Sequence, residues 1–92
     1  KPILTTASVM TSLSEKRKRL ESRDGGLGSA LRAARLRAGL TQEDIAMSTG
    51  MFRGNISRIE TGKSQPTYAT LKRLCRAIGI RPSDVVKEVL DA

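Results

Sequence analysis

Between Thr41 and Gly62 the chain carries two short helix signals separated by a break at Gly50, and this pairing restricts the fold more than any other feature. The first signal, from Gln42 to Thr49, follows Thr41, a residue type that caps helix N-termini, and puts Ile45 and Ala46 on one side. The second runs from Phe52 or Arg53 to Thr61, with Ile56 and Ile59 on an inner face and Arg53, Asn55, Ser57 and Arg58 on an outer one. Gly50 supplies the positive φ that a tight turn between helices needs. Helices this short are not stable alone, so each must bury its apolar side against further elements.

The flanking sequence provides them. Ser29 is placed to cap a helix through about Ala38, with Leu31 and Ala34, joined by Leu27 and Ala38, facing inward, and Gly39 as its end. Lys63-Ser64-Gln65-Pro66 reads as a loop. Thr67 caps a fourth helix to Ile78, where Leu71, Leu74, Cys75 and Ile78 have the i, i+3, i+4, i+7 spacing of a buried stripe, and Gly79 stops it. Pro82 suits the first turn of a fifth helix, ending near Leu90, with Asp84 near its positive end. The expectation is an all-α bundle of five short helices over residues 29–92. The scarcity of aromatics, Phe52 and Tyr68 alone, agrees with it.

Residues 1–28 form an N-terminal extension, partly helical or disordered. Ser12-Leu13-Ser14-Glu15 has capping-box spacing and predicts a helix from Leu13 to about Ser22, and Asp24-Gly25-Gly26 then reads as a linker. Lys16-Arg17-Lys18-Arg19 suits a basic arm touching nucleic-acid phosphates. A solvated leader, a helix that binds a protein partner, and a β-strand at Ile3–Val9 pairing across a dimer are the competing readings.

Composition limits the function. The 92 residues make one small domain with a thin core. A net charge of +8, from 17 basic and 9 acidic residues, favours a polyanionic partner. The excess is spread out: residues 1–28 hold six basic and three acidic side chains, 29–62 five and three, 63–92 six and three. No apolar run is long enough for a membrane helix, and no signal-peptide pattern is present. With no His and one Cys, neither an ordinary zinc site nor His-based acid–base catalysis is available. The lone Cys75 fits a reducing, cytoplasmic setting, and its place on an apolar stripe suits a small core residue better than a redox sensor. No catalytic set stands out, and no cofactor is expected.

Two short helices packed at a steep angle make a device that sets the second helix in the major groove of DNA. In agreement, Leu31-Arg32-x-x-Arg35, Gly39-Leu40-Thr41-Gln42-x-x-Ile45-Ala46, Gly50, Ile56-Ser57-Arg58-Ile59-Glu60-Thr61-Gly62-Lys63, Pro66-Thr67 and Leu71-x-x-Leu74-Cys75-x-x-Ile78-Gly79-Ile80 match a known pattern in order. Residues from about 29 to 90 resemble the lambda-repressor-like helix-turn-helix domain of the Xre family. The resemblance implies a five-helix fold and DNA binding, usually as a dimer on palindromic half-sites, most often in repression.

It also implies roles. Arg53, in the first turn of the third helix, can donate two hydrogen bonds to O6 and N7 of a guanine. Arg58, roughly 140° further round, can read a second base or reach a phosphate, and Asn55 and Ser57 suit adenine edges or phosphates. Gly54 departs from the family, where a reading side chain often stands; it allows either a close backbone approach to the bases or a local kink. Gln42 matches a phosphate-binding position, and Thr61, Lys63, Ser64 and Thr67 are candidate phosphate contacts beyond the third helix. Arg35 and Glu60 match a structural ion pair, and Val85, Val86, Val89 and Leu90 offer surface for the core and for a dimer.

These readings converge on a dimeric, nucleoid-associated repressor of double-stranded DNA operators. An antitoxin that also holds a toxin, through a surface such as residues 1–28, is the nearest alternative. A protein-interaction module that kept the fold is the third, and Arg53, Arg58 and Gln42 argue against it.

Overall fold

The computed structural model describes residues 6–22 and 25–91, with side chains from residue 13 onward. Six helices, and no strands, occur among the described residues: α1 (Thr6–Glu21), α2 (Leu27–Arg37), α3 (Gln42–Thr49), α4 (Arg53–Glu60), α5 (Tyr68–Ile78) and α6 (Pro82–Asp91). The all-α expectation holds, and α2 to α6 are the five helices expected from residue 29 onward. The count of five is corrected to six, because the N-terminal extension contributes a full helix packed on α6 and α2.

Two boundaries move for physical reasons. Helix α1 already runs from Thr6, so Ser12 is interior rather than a cap. A capping-box pattern marks a start only where the preceding backbone is extended, and nothing in Thr6–Thr11 breaks a helix. Residues 6–9 of the proposed strand are therefore helical, while residues 3–5 lie outside the described residues. Helix α2 starts at Leu27 with Gly26 as its extended N-cap, so Ser29 lies inside it and the division at residues 28/29 cuts its first turn. Burial explains this start: Leu27 is in the core, and Gly28 lies against the end of α4, where a Cβ would collide with the Ile59 carbonyl oxygen.

The core gathers Leu27, Ala30 and Leu31 of α2, Ile45 and Ala46 of α3, Ile56 and Ile59 of α4, Leu71, Leu74 and Cys75 of α5, and Val85 and Val89 of α6. Leu20 carries α1 onto its edge. Ile78 is only partly buried, and Ala38 is an exposed C-cap rather than an inward residue. Cys75 has no exposed surface, and burial, reinforced by Asp84, pushes its thiol up, so it is an unreactive core side chain. No helix among the described residues is long and apolar enough to cross a membrane.

Candidate nucleic-acid interface

The first member of the helix pair at the centre of the sequence is fixed at both ends. At the start of α3, Thr41 Oγ1 accepts from the Asp44 amide at 3.0 Å while Asp44 Oδ2 accepts from the Thr41 amide at 2.8 Å. These reciprocal bonds satisfy two N-terminal amides and hold the Asp44 carboxyl below the ordinary carboxylate range, the Thr41 backbone bond being the chief cause. At the other end Gly50, at φ +72°, donates to the Ala46 carbonyl, and Arg73 Nη2 donates to the Thr49 carbonyl at 3.1 Å. Only Gly50, Met51 and Phe52 separate α3 from α4.

Helix α4 is divided cleanly. Ile56 and Ile59 face the core, and Glu60 is 6 % exposed. Arg53, Gly54, Asn55 and Arg58 are exposed, and Ser57 is half-buried. At 100° per residue, Gly54 lies midway between Ser57 and Arg58 on the outward side. The helix runs unbroken through Gly54, and no atom stands within 4 Å of where a Cβ would be. The fold itself therefore does not require glycine there, and the kink account has no support. Arg53, Arg58 and Lys63 have no ion pair or side-chain hydrogen bond among the described residues.

The back of α4 is locked by Glu60. Arg35 meets it with two parallel bonds, Nε to Oε2 at 2.8 Å and Nη2 to Oε1 at 3.0 Å, and uses Nη1 on the Leu40 carbonyl at 2.8 Å. Glu60 raises the Arg35 pKa through this hydrogen bonding, so the guanidinium stays cationic. Gln42 Nε2 donates to Glu60 Oε1 at 3.1 Å, bringing α3 into the same network. One carboxylate thus joins α2, α3 and α4.

The candidate phosphate contacts separate into two groups. Half-buried Gln42 commits one amide N–H to Glu60 and keeps a second donor. Thr61 Oγ1 donates to the Ser57 carbonyl at 2.9 Å, and Thr67 Oγ1 caps α5 by accepting from the Thr70 amide at 3.2 Å and bonding the Thr70 hydroxyl. Their hydroxyl protons are engaged within the chain, so Lys63 and Ser64 are the loop side chains better placed to donate outward. Among the candidate dimer residues, Val85 and Val89 are closed into the core, while Val86 and Leu90 keep surface.

Two of the exposed apolar side chains lie close to Arg53 and were not among the candidates: Met47, 78 % exposed, and Phe52, 82 % exposed. Phe52 is the N-cap of α4 and makes no side-chain cap bond. A phenylalanine where Ser, Thr, Asn or Asp is preferred was the legible signal.

Comparison with known proteins agrees with this geometry. A family model described as a helix-turn-helix domain matches residues 27–88. The uncharacterized HTH-type transcriptional regulator y4dJ of Sinorhizobium fredii is 33% identical over 60 residues, covering 65% of this chain and 78% of that protein. The clp gene regulator ClgR of Corynebacterium glutamicum superposes with a TM-score of 0.69 at 30% identity, over 75% of this chain and 88% of that one. The restriction-modification controller protein C.AhdI of Aeromonas hydrophila does so with a TM-score of 0.63 at 25% identity, over 75% and 97%. With its two-helix unit at Gln42–Glu60 and a family match beginning where α2 begins, the chain belongs to the lambda-repressor-like helix-turn-helix family of DNA-binding regulators.

Proposed function

We propose that this protein represses transcription by occupying double-stranded DNA operators, with the N-terminal turn of α4 leading into the major groove. The observation that carries the reading is the division of α4. Its back is held by Ile56, Ile59 and the Arg35–Glu60 pair, while Arg53 and Arg58 project outward with no partner among the described residues. An arginine held on a rigid helix end, with its donors unspent, fits the bidentate acceptor edge of guanine. Arg53 reads one base, Arg58 reads a second or binds a phosphate, and Asn55 contributes at the groove edge. Half-buried Ser57 has the smaller share. Gln42, Lys63 and Ser64 hold the backbone on either side of the groove.

Two copies bind as a dimer through the surface left on Val86 and Leu90, setting their reading helices about 34 Å apart, one DNA turn. The relatives named as transcriptional or gene regulators support the regulatory role.

Selection of bound sites from a random duplex pool, followed by sequencing, tests the whole reading. The expected result is a palindromic motif with guanine at fixed positions and half-sites one turn apart. A pool without enrichment would overturn it.

A further inference from the structure

The basic run of α1 was left without a role by the site on α4. The structure brings it to the same side of the molecule as the loop after the reading helix. Gln65 Nε2 donates to the Glu21 carbonyl at 3.2 Å, tying the last turn of α1 to the Lys63–Thr67 loop. Gly26 lies against the end of α1 as well: a Cβ there would collide with the Ser22 carbonyl oxygen. Two residues further on, Gly28 presses on the Ile59 and Glu60 carbonyls at the end of α4. Leu20 adds an apolar contact with the core edge. The C-terminal end of α1 is therefore fastened to the loop that follows α4, while its length packs on α6 and α2.

We propose that the last two turns of α1 form a second phosphate-binding surface for duplex DNA, continuous with Lys63 and Ser64 and extending the contact beyond the major groove that α4 reads. This rests on the assignment of α4 as the reading helix. Lys16, Arg17, Lys18 and Arg19 lie about 3 to 8 Å along the axis from Glu21, at 1.5 Å per residue. Being consecutive, they encircle the helix, so a strand passing on either flank meets cations. All four are exposed. Lys16 and Lys18 have no ion pair among the described residues, and Arg17 has only a solvent-exposed contact with Glu21 at 3.7 Å. The partial negative charge of a helix end would repel phosphate, but here the Glu21 carbonyl is taken up by Gln65, and Lys18 and Arg19 stand in the last turn. DNA phosphate is the occupant that fits: four exposed cations outnumber Glu15 and Glu21 in these turns, and the end of α1 is bonded to the loop already assigned to the backbone.

The test compares the full chain with the quadruple variant Lys16→Gln, Arg17→Gln, Lys18→Gln, Arg19→Gln on a duplex selected from the random pool. Lys87→Gln, on exposed α6, controls for lost charge in general. Affinity is measured across a salt series, with circular dichroism to check folding. Each phosphate neutralised contributes about −0.9 to the log–log slope. The expected result is a slope shallower by about 2 in the quadruple variant, an unchanged base preference, and a hydroxyl-radical footprint shortened at one edge. Should that variant lose its helicity, the pairs Lys16→Gln/Arg17→Gln and Lys18→Gln/Arg19→Gln are read the same way, and one pair must carry the change. Slopes equal to those of the wild type and Lys87→Gln would overturn the proposal while leaving α4 as the reader. Absence of any salt-sensitive duplex preference in the wild type would overturn both.

Discussion

Arg53 and Gly54 stand side by side in the first turn of α4, and they should respond to substitution in opposite ways. Arg53→Ala removes a donor fork that the fold does not use. It should leave thermal unfolding unchanged, weaken the selected duplex by about 1–3 kcal/mol and relax preference at one base position. Equal weakening on every sequence would reduce Arg53 to a phosphate contact. Gly54→Ala adds a methyl into open space at an exposed helix position. It should stabilise the protein by up to about 1 kcal/mol. If the backbone approaches the base edges at Gly54, the same change lowers affinity, so stability and binding move apart. Glu60 is the counter-case. Glu60→Ala strands Arg35, whose side chain is 7 % exposed, and should cost about 3–5 kcal/mol in urea unfolding. The Arg35–Glu60 pair was legible through the resemblance. The Gln42–Glu60 bond was not, because a partner eighteen residues away carries no local signature.

Among the elements, α3, α5 and α6 could be read closely because each has its own punctuation: Thr41 and Thr67 cap, Pro82 starts, Gly50 and Gly79 stop. Helices α1 and α2 were misplaced at their starts because their limits are set by tertiary contacts. Gly28 shows this best. By sequence it falls at the end of the N-terminal extension, yet it is the point where α2 meets the end of α4. Gly28→Ala should destabilise the protein by about 1–3 kcal/mol despite the better helix propensity of alanine. An unchanged or higher denaturation midpoint would show that the two helices separate at no cost. The capping box of α3 sets a pH dependence. The folded Asp44 carboxyl titrates below its ordinary value, so its contribution is complete above that value, about pH 3.9, and is lost as pH falls through the lower folded pKa. Asp44→Asn should flatten the acid limb of a plot of melting temperature against pH.

Taken whole, the molecule pairs a spread positive charge with a localised outward face on α4. The charge predicted a polyanion, but it could not place the contacts, since basic residues are distributed evenly along the chain. Folding sorts them. Arg35 goes inside, Arg37 pairs with Glu88 at 3.3 Å, Arg81 pairs with Asp84 at 3.6 Å, and Arg53, Arg58 and Lys63 are left outward. The dimer is testable at the same scale. Leu90→Glu, on half-buried α6 surface, should shift sedimentation towards monomer and cost more on a two-half-site duplex than on a single half-site. Equal losses on both would move the subunit interface elsewhere.

The division of α4 has a further consequence. Its locking residues, Ile56, Ile59 and Glu60, and its outward residues, Arg53, Gly54, Asn55 and Arg58, have no member in common. On the proposed reading, folding and targeting are encoded by separate letters of one eight-residue word, with half-buried Ser57 at their border. Such a helix can drift to a new operator by changing its outward letters while the scaffold remains under unchanged selection, and a designer can retarget it by the same route.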